Sequence, residues 1–362
     1  MTTDSQVNGR HTADSDQPEQ PVALDPLQHR AWDSLVSECS GSSFFHRTAW
    51  ARVLQETYGH RAIYFCRFAD GQLEGLLPIM EVSSPWTGRR GVSLPFSDFC
   101  SPLSVEGARR RELYELALEH GRGRGWSYLE CRNSDPEWPG ATPSLAFYGH
   151  VIDLTCGQEA LFECLDSAVR RGIRKGEGAG LNVEFSSSLD SIQTFYALHC
   201  RTRHRHGLPP QPFRFFENIA RYVLAPGHGF VATVRLAKKP LAASVFFQHR
   251  MEVLYKFGAS DYAFQDLRPN NLMMWAAIKR CAANGFARLH LGRTSLANEG
   301  LRRFKLGFGA REERIEYCKY DFGKRTFVRD VDRAEGWVNH VFRCLPGPVL
   351  RLAGRLIYPH LS

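Results

Sequence analysis

RLHLGRTSLANEGLRRFKLGFG, Arg288 to Gly309, is the stretch on which the reading of this chain turns. Arg288 to Leu291 alternates as a short half-buried strand does, and Gly292-Arg293-Thr294 breaks the alternation. Asn298 to Phe304 then has helix-compatible spacing before Lys305 and a Gly307-Phe308-Gly309 turn. A strand that runs into a polar turn and a short helix is where α/β proteins commonly place their chemistry.

Working outward, the helix Asn270 to Asn284, closed by Gly285, precedes this strand, and the hairpin Phe230 to Leu236 with Leu241 to Gln248 precedes the helix. The same order occurs earlier in the chain. Ala62 to Phe68 and Leu73 to Val82 flank Asp70-Gly71, Glu106 to Gly121 is an amphipathic helix, and Gly125 leads into strand Trp126 to Cys131. Ala69 and Leu73 fall at one offset from Ala237 and Leu241, and Gly125 falls at a slightly shorter one from Gly285. Two such matches in order indicate an internal duplication. The expected fold is α/β, with an α+β mixed sheet, in two similar domains over residues 23–144 and 145–328. A disordered polar tail over residues 1–22 precedes them, and an amphipathic helical tail over residues 329–362 follows.

Composition narrows the function classes. The chain has 362 residues, 43% hydrophobic and 23% charged, which is ordinary for a globular protein. A net charge of +8 favours anionic partners, although only 8 of the 46 basic residues are lysine and a high-GC genome gives the same arginine bias. The 10 cysteines form no C-x-x-C pair, and neither an N-terminal apolar run nor an uncharged 18-residue span occurs, so a cytoplasmic, reducing location is the default. Ser-His-Asp order, G-x-S-x-G, a Walker loop and a dinucleotide fingerprint are all absent. His199, Cys200, His204 and His206 do not stack on one helix face, and Arg201, Arg203 and Arg205 between them repel a cation, so no metal site is expected.

The basic helix with Arg170-Arg171 and Arg174-Lys175, then Arg201-Thr-Arg with His206-Gly207, then Gly292-Arg293-Thr294 followed by Gly300-Leu301 and Phe304-Lys305-x-x-Phe308-Gly309, resemble the Fem-related branch of the GNAT superfamily. That branch holds the peptidoglycan-bridge aminoacyltransferases and acetyltransferase-like envelope proteins. The resemblance covers roughly residues 40 to 325. It implies two fused GNAT-type domains and transfer of an acyl group from a thioester or aminoacyl-tRNA ester to an amine, with no covalent enzyme intermediate. Acyl-CoA and aminoacyl-tRNA both remain open as donor, and tRNA is a partner if the second is used. The acceptor is an amine of an envelope or exopolysaccharide precursor; DNA is not expected.

Such a reaction needs a cation or N–H donors where the carbonyl oxygen gains charge, and a group or water to take the amine proton. Lys305 is the candidate cation, matching the position where Fem-like enzymes place a functional lysine; the alternative is a surface lysine with its stem on Phe304 and Leu306. Asp98, between Phe96 and Phe99 in a proline-bounded loop, is the candidate base with a raised pKa, or else an Asx-turn residue. Arg293 can clamp a diphosphate or carboxylate or brace its loop, and Thr294 follows it. Arg174, Arg201 and His206 are further candidates for an anionic substrate, against the alternative of a solvated basic face. The tail from Trp337 to Leu361 reads as two short helices split at Pro346-Gly-Pro348, with Arg343, Arg351 and Arg355 among apolar residues, suited to an anionic leaflet on the inner face of the plasma membrane or to packing on the protein. Two other functions stay in view: a coenzyme A-dependent N-acetyltransferase for a soluble amine, and a non-catalytic membrane-associated scaffold.

Overall fold

A computed structural model describes residues 20–104, 107–132, 138–330 and 337–361. A single mixed sheet of 15 strands runs through the protein. Its main path begins with Val22–Leu24, Arg61–Ala69, Gln72–Ser84, Gly88–Val92 and Trp126–Arg132. Arg311–Asp321 and Pro143–Asp153 form the centre, and Arg288–His290, Glu252–Ser260, Lys239–His249, Gly229–Leu236 and Leu181–Ser186 complete it. The expected tail over residues 1–22 lies outside the described residues up to Glu19, and Val22 already belongs to the edge strand.

The duplicated order is visible in the pairing. In the first half, the hairpin of Arg61–Ala69 and Gln72–Ser84 leads to Gly88–Val92, helix Gly107–Arg124, and a return strand Trp126–Arg132 parallel to Gly88–Val92. In the second, the hairpin of Gly229–Leu236 and Lys239–His249 leads to Glu252–Ser260, helix Pro269–Ala283, and Arg288–His290 parallel to Glu252–Ser260. Both helices end at a glycine in the left-handed region, Gly125 at φ 68° and Gly285 at φ 78°, which lets the chain reverse into the return strand. Register places Ala69 opposite Gln72 and Leu236 opposite Lys239. Ala69 is therefore equivalent to Leu236, one residue from the alignment read in the sequence, because the two-residue turn is the fixed point of a hairpin.

The closing strands cross over. Arg311–Asp321 lies antiparallel to Pro143–Asp153, with Arg311 opposite Val151 and Tyr317 opposite Leu145. On its other side it pairs with Trp126–Arg132 of the first half, while Pro143–Asp153 pairs with Arg288–His290 of the second. The sheet is thus continuous, and the main aromatic core is shared as well. Trp32, Trp50 and Phe45 from early helices pack with Phe195, Phe215, Phe216 and Phe247 from later elements. A second core behind the later sheet holds Met273, Met274 and Trp275.

Two local expectations are revised. The basic helix is shorter than the helical run of residues 158–180 suggests: two helices, Gln158–Glu163 and Ser167–Gly178, form there, because the intervening Asp166 N–H bonds to Gly307 O instead of continuing the helix. The helix read as opening at Asn270 starts at Pro269, and the Asn270 amide donates to Ser260 Oγ. The closing helices, Trp337–Cys344 and Gly347–Ile357, split at Pro346 as read. Among the described residues no helix is long and apolar enough to cross a membrane.

Candidate active site

Strands Glu252–Ser260 and Arg288–His290 pair only from Glu252 opposite Arg288 to Leu254 opposite His290, and then diverge. On the other edge of Glu252–Ser260, Val245 faces Phe257 while Phe246 faces Tyr255, so Lys256 is the extra residue of a β-bulge. A bulge bends its strand and re-aims a side chain. On the opposite wall Gly292 adopts φ 70° and its Cα side lies against Tyr255 O, where an added Cβ would come within 3.2 Å. Between the diverging strands and helix Glu299–Leu306 lies a cleft of about 660 Å³, whose lining includes Lys256, Gly258, Ser260, Gly292, Arg293 and Lys305. The helix starts where the sequence places it, with the Asn298 carboxamide accepting the Leu301 N–H at 3.0 Å.

The loop after Gly88–Val92 delivers Asp98 to this cleft from the first half. Leu94 at φ 54° and Phe96 at φ 61° occupy the left-handed region that side chains seldom adopt, so surrounding contacts must hold the loop. Lys256 Nζ donates to Asp98 Oδ2 at 2.6 Å and to Phe96 O at 2.7 Å. Arg293 N donates to Asp98 Oδ1 at 3.4 Å; its guanidinium donates to the Tyr317 hydroxyl at 2.6 Å and lies over the Phe147 ring. The Tyr317 hydroxyl donates in turn to Asp98 O at 2.7 Å. Lys305 Nζ donates to Gly292 O at 2.9 Å and Arg293 O at 3.1 Å, which leaves one of its three N–H groups for a ligand.

Two titrations follow from this packing. Burial pulls the Lys305 ammonium down from 10.5 to about 8, with Asp98 pulling it back and Lys256 pushing it further down. Burial alone pushes Asp98 up, but Lys256, Arg293 and Lys305 outweigh it and hold the carboxyl below its ordinary value. The sequence reading of Asp98 as a base with a raised pKa is therefore corrected: it is a carboxylate locked in an ion pair. Asp98 is also the one carboxylate among the described residues that line the cleft, against Lys256, Arg293 and Lys305. The site is poised to receive negative charge.

Of the residues singled out in the sequence, Lys305, Asp98, Arg293 and His206 converge on the cleft, His206 at the end of helix Leu189–Arg205. Arg201 does not line it; this side chain is 63% exposed and pairs with Asp261 at 3.1 Å. Thr294 is buried in a short strand opposite Tyr148, and its hydroxyl has no hydrogen-bond partner among the described residues. Arg174 faces a separate groove with Glu177 and Trp275. Its neighbours Arg171 and Lys175, one helical turn apart, instead line a basic pocket of about 380 Å³ with Arg268, Asn271 and Phe304. Phe304 is the wall that this pocket shares with the main cleft.

Sequence reasoning missed Lys256 and Tyr317. A lysine amid Val253-Leu254-Tyr255-Lys256-Phe257 was a signal, since charge is out of place in a buried strand. Tyr317 carried no local signal, because only the crossing of Arg311–Asp321 brings it to Asp98.

Residues 165–312 match the family described as Acetyltransferase (GNAT) domain. This part of the chain is similar to a GNAT domain. It contains both walls of the cleft, from the bulge at Lys256 to helix Glu299–Leu306. Over most of its length the protein shares its fold with Fem-like and tandem GNAT proteins. The crystal structure of FemX is matched with TM-score 0.65 at 14% identity, over 82% of this chain and 96% of that one. A tandem GNAT protein from the clavulanic acid biosynthesis pathway is matched with TM-score 0.54 at 12% identity, over 83% and 98%. L-PGS from Bacillus licheniformis is matched with TM-score 0.53 at 13% identity, over 90% and 96%. At such identities these are likenesses of fold. No curated protein matches the sequence.

Proposed function

We propose that the protein is an N-acyltransferase that moves an acyl or aminoacyl group from acyl-CoA or aminoacyl-tRNA to an amine of a cell-envelope or exopolysaccharide precursor. The observation that carries this reading is the cleft between the diverging strands, with its excess of buried cations around a single carboxylate. A donor carbonyl set between the walls gains negative charge when the amine attacks, and the remaining N–H of Lys305 stabilises that charge. Asp98, ionised and anchored by Lys256, orients the incoming amine rather than removing its proton. The new bond is C–N and the bond broken is C–S or C–O; the leaving thiolate or ribose oxygen takes up the proton that the amine gives away.

The adjoining basic pocket of Arg171, Lys175 and Arg268 suits the phosphates that both donor classes carry. Both donors are cytoplasmic, which places the reaction there. The Fem-like fold and the motif resemblance support an envelope acceptor. In this reading the second half carries the reaction, and the first supplies Asp98. Purified protein incubated with radiolabelled acetyl-CoA or charged tRNA and a membrane-precursor extract should move label from one donor into the extract. Transfer from neither donor overturns the proposal.

A further inference from the structure

The closing helix Gly347–Ile357 is amphipathic in two directions. One face is fixed to the protein: Leu350 is 1% exposed, and a Cβ at Gly354 would collide with the Pro210 carbonyl. Tyr358, just beyond, donates to Pro209 O at 3.2 Å and accepts from the Arg203 guanidinium at 2.7 Å. The other face is apolar and faces outward. Val349, Leu352 and Leu356, at i, i+3 and i+7, are 46%, 57% and 55% exposed. Trp86, 69% exposed at the tip of another hairpin, packs against His360 with ring centroids 4.2 Å apart and extends this surface.

Exposed Arg351 and Arg355 flank the apolar stripe, and exposed Arg343 precedes it. From Trp337 onward the chain has no Asp or Glu. A protruding apolar stripe flanked by these arginines matches an anionic lipid surface, in which apolar side chains enter the acyl boundary and arginines meet headgroups. Two copies meeting face to face would instead bring arginine against arginine.

We propose that this face, formed by Val349, Leu352, Leu356 and Trp86 with the flanking arginines, docks the protein on an anionic membrane leaflet. It goes beyond acyl transfer and does not depend on it, yet it bears on where the cleft works. Helix Leu189–Arg205 carries the tail, through Arg203 to Tyr358 and His204 to Arg343 O, and ends beside Arg205 and His206 on the cleft lining. Docking therefore sets the cleft near the lipid surface.

The test is co-sedimentation of the full chain with phosphatidylcholine vesicles that contain or lack phosphatidylglycerol. The wild type should pellet with the anionic vesicles only. Leu352→Glu with Leu356→Glu should weaken binding by about a hundredfold or more, roughly what losing two buried leucines costs. Arg351→Ser and Arg355→Ser should weaken it by about fivefold each. Transfer to a soluble amine should be unchanged in the leucine variant, which keeps this outcome separate from that of the transferase reading. Wild-type protein that stays in the supernatant overturns the proposal, as does a leucine variant that pellets like the wild type. A concentration-dependent dimer abolished by Leu352→Glu assigns the face to a second copy and overturns it too.

Discussion

The two halves contain the same wedge between parallel strands, and they use it in opposite ways. In the second half the strands diverge beyond Leu254 and His290, and the space between is the cleft. In the first half, Gly88–Val92 stays paired with Trp126–Arg132 to its last residue, Val92 opposite Glu130, and the space beyond is filled. Ser93 N bonds to Glu130 O at 2.8 Å, Arg132 N to Ser93 Oγ at 2.6 Å, and Cys100 N to Arg132 O at 2.6 Å. The Arg132 guanidinium donates to Glu130 at 3.0 Å and to Ser97 O at 3.0 Å, plugging the remaining space. The plug is also an export device, since the loop it organises projects Asp98 into the neighbouring wedge. In the proposed reading one half serves as scaffold and the other as site.

The largest expected effect comes from cutting that strut. Asp98→Asn leaves the Lys256 ammonium buried without its carboxylate, and should lower stability by about 3–5 kcal/mol in urea unfolding. Asp98→Leu with Lys256→Met should recover much of the loss, because no charge is then stranded. If Asp98→Asn is neutral, the first half is not bracing the second.

Next is the chemistry of the open wedge. Lys305→Met should reduce transfer by roughly 10²–10³-fold, the usual cost of one donor to a developing oxyanion, measured on protein with unchanged circular dichroism. A smaller effect follows from pH. Transfer should fall by about tenfold per unit above pH 8 as Lys305 loses its proton, and Lys305→Arg should move that fall upward. Stability has the opposite sign: with the folded pKa at about 8, below the ordinary 10.5, the unfolded chain holds the extra proton between these values. The Lys305 contribution to stability therefore rises with pH across that window. The smallest effects should be Arg201→Ala and Arg174→Ala, each within about 0.5 kcal/mol in stability and less than twofold in transfer, since neither lines the cleft.

What the sequence revealed and what it hid divide along physical lines. Hairpins, helix ends and the strand before Gly292 rest on local signals such as Asp70-Gly71, Gly125, Gly285 and the Asn298 cap, and these were legible. Arg293 was legible because it follows a strand in a polar turn, and Lys305 because it comes at the end of the short helix beyond that turn. The charge state of Asp98 was not, because its partners Lys256 and Arg293 are far away in sequence and only the tertiary fold brings them together. Arg174 and Arg201 were misplaced because helix registers decide which of several adjacent cations faces a cavity, and a rotation of about 100° per residue separates one from the next.

The crossed centre of the sheet has a consequence for the birth of the molecule. As the chain emerges from the ribosome, Trp126–Arg132 has no neighbour on one edge until Arg311–Asp321 has been made. Pro143–Asp153 likewise lacks both of its partners until the later strands arrive. Neither half can close early, so the nascent chain carries open strand edges through most of its synthesis, the condition in which chains mispair or need a chaperone. The final strand then completes both halves in one step.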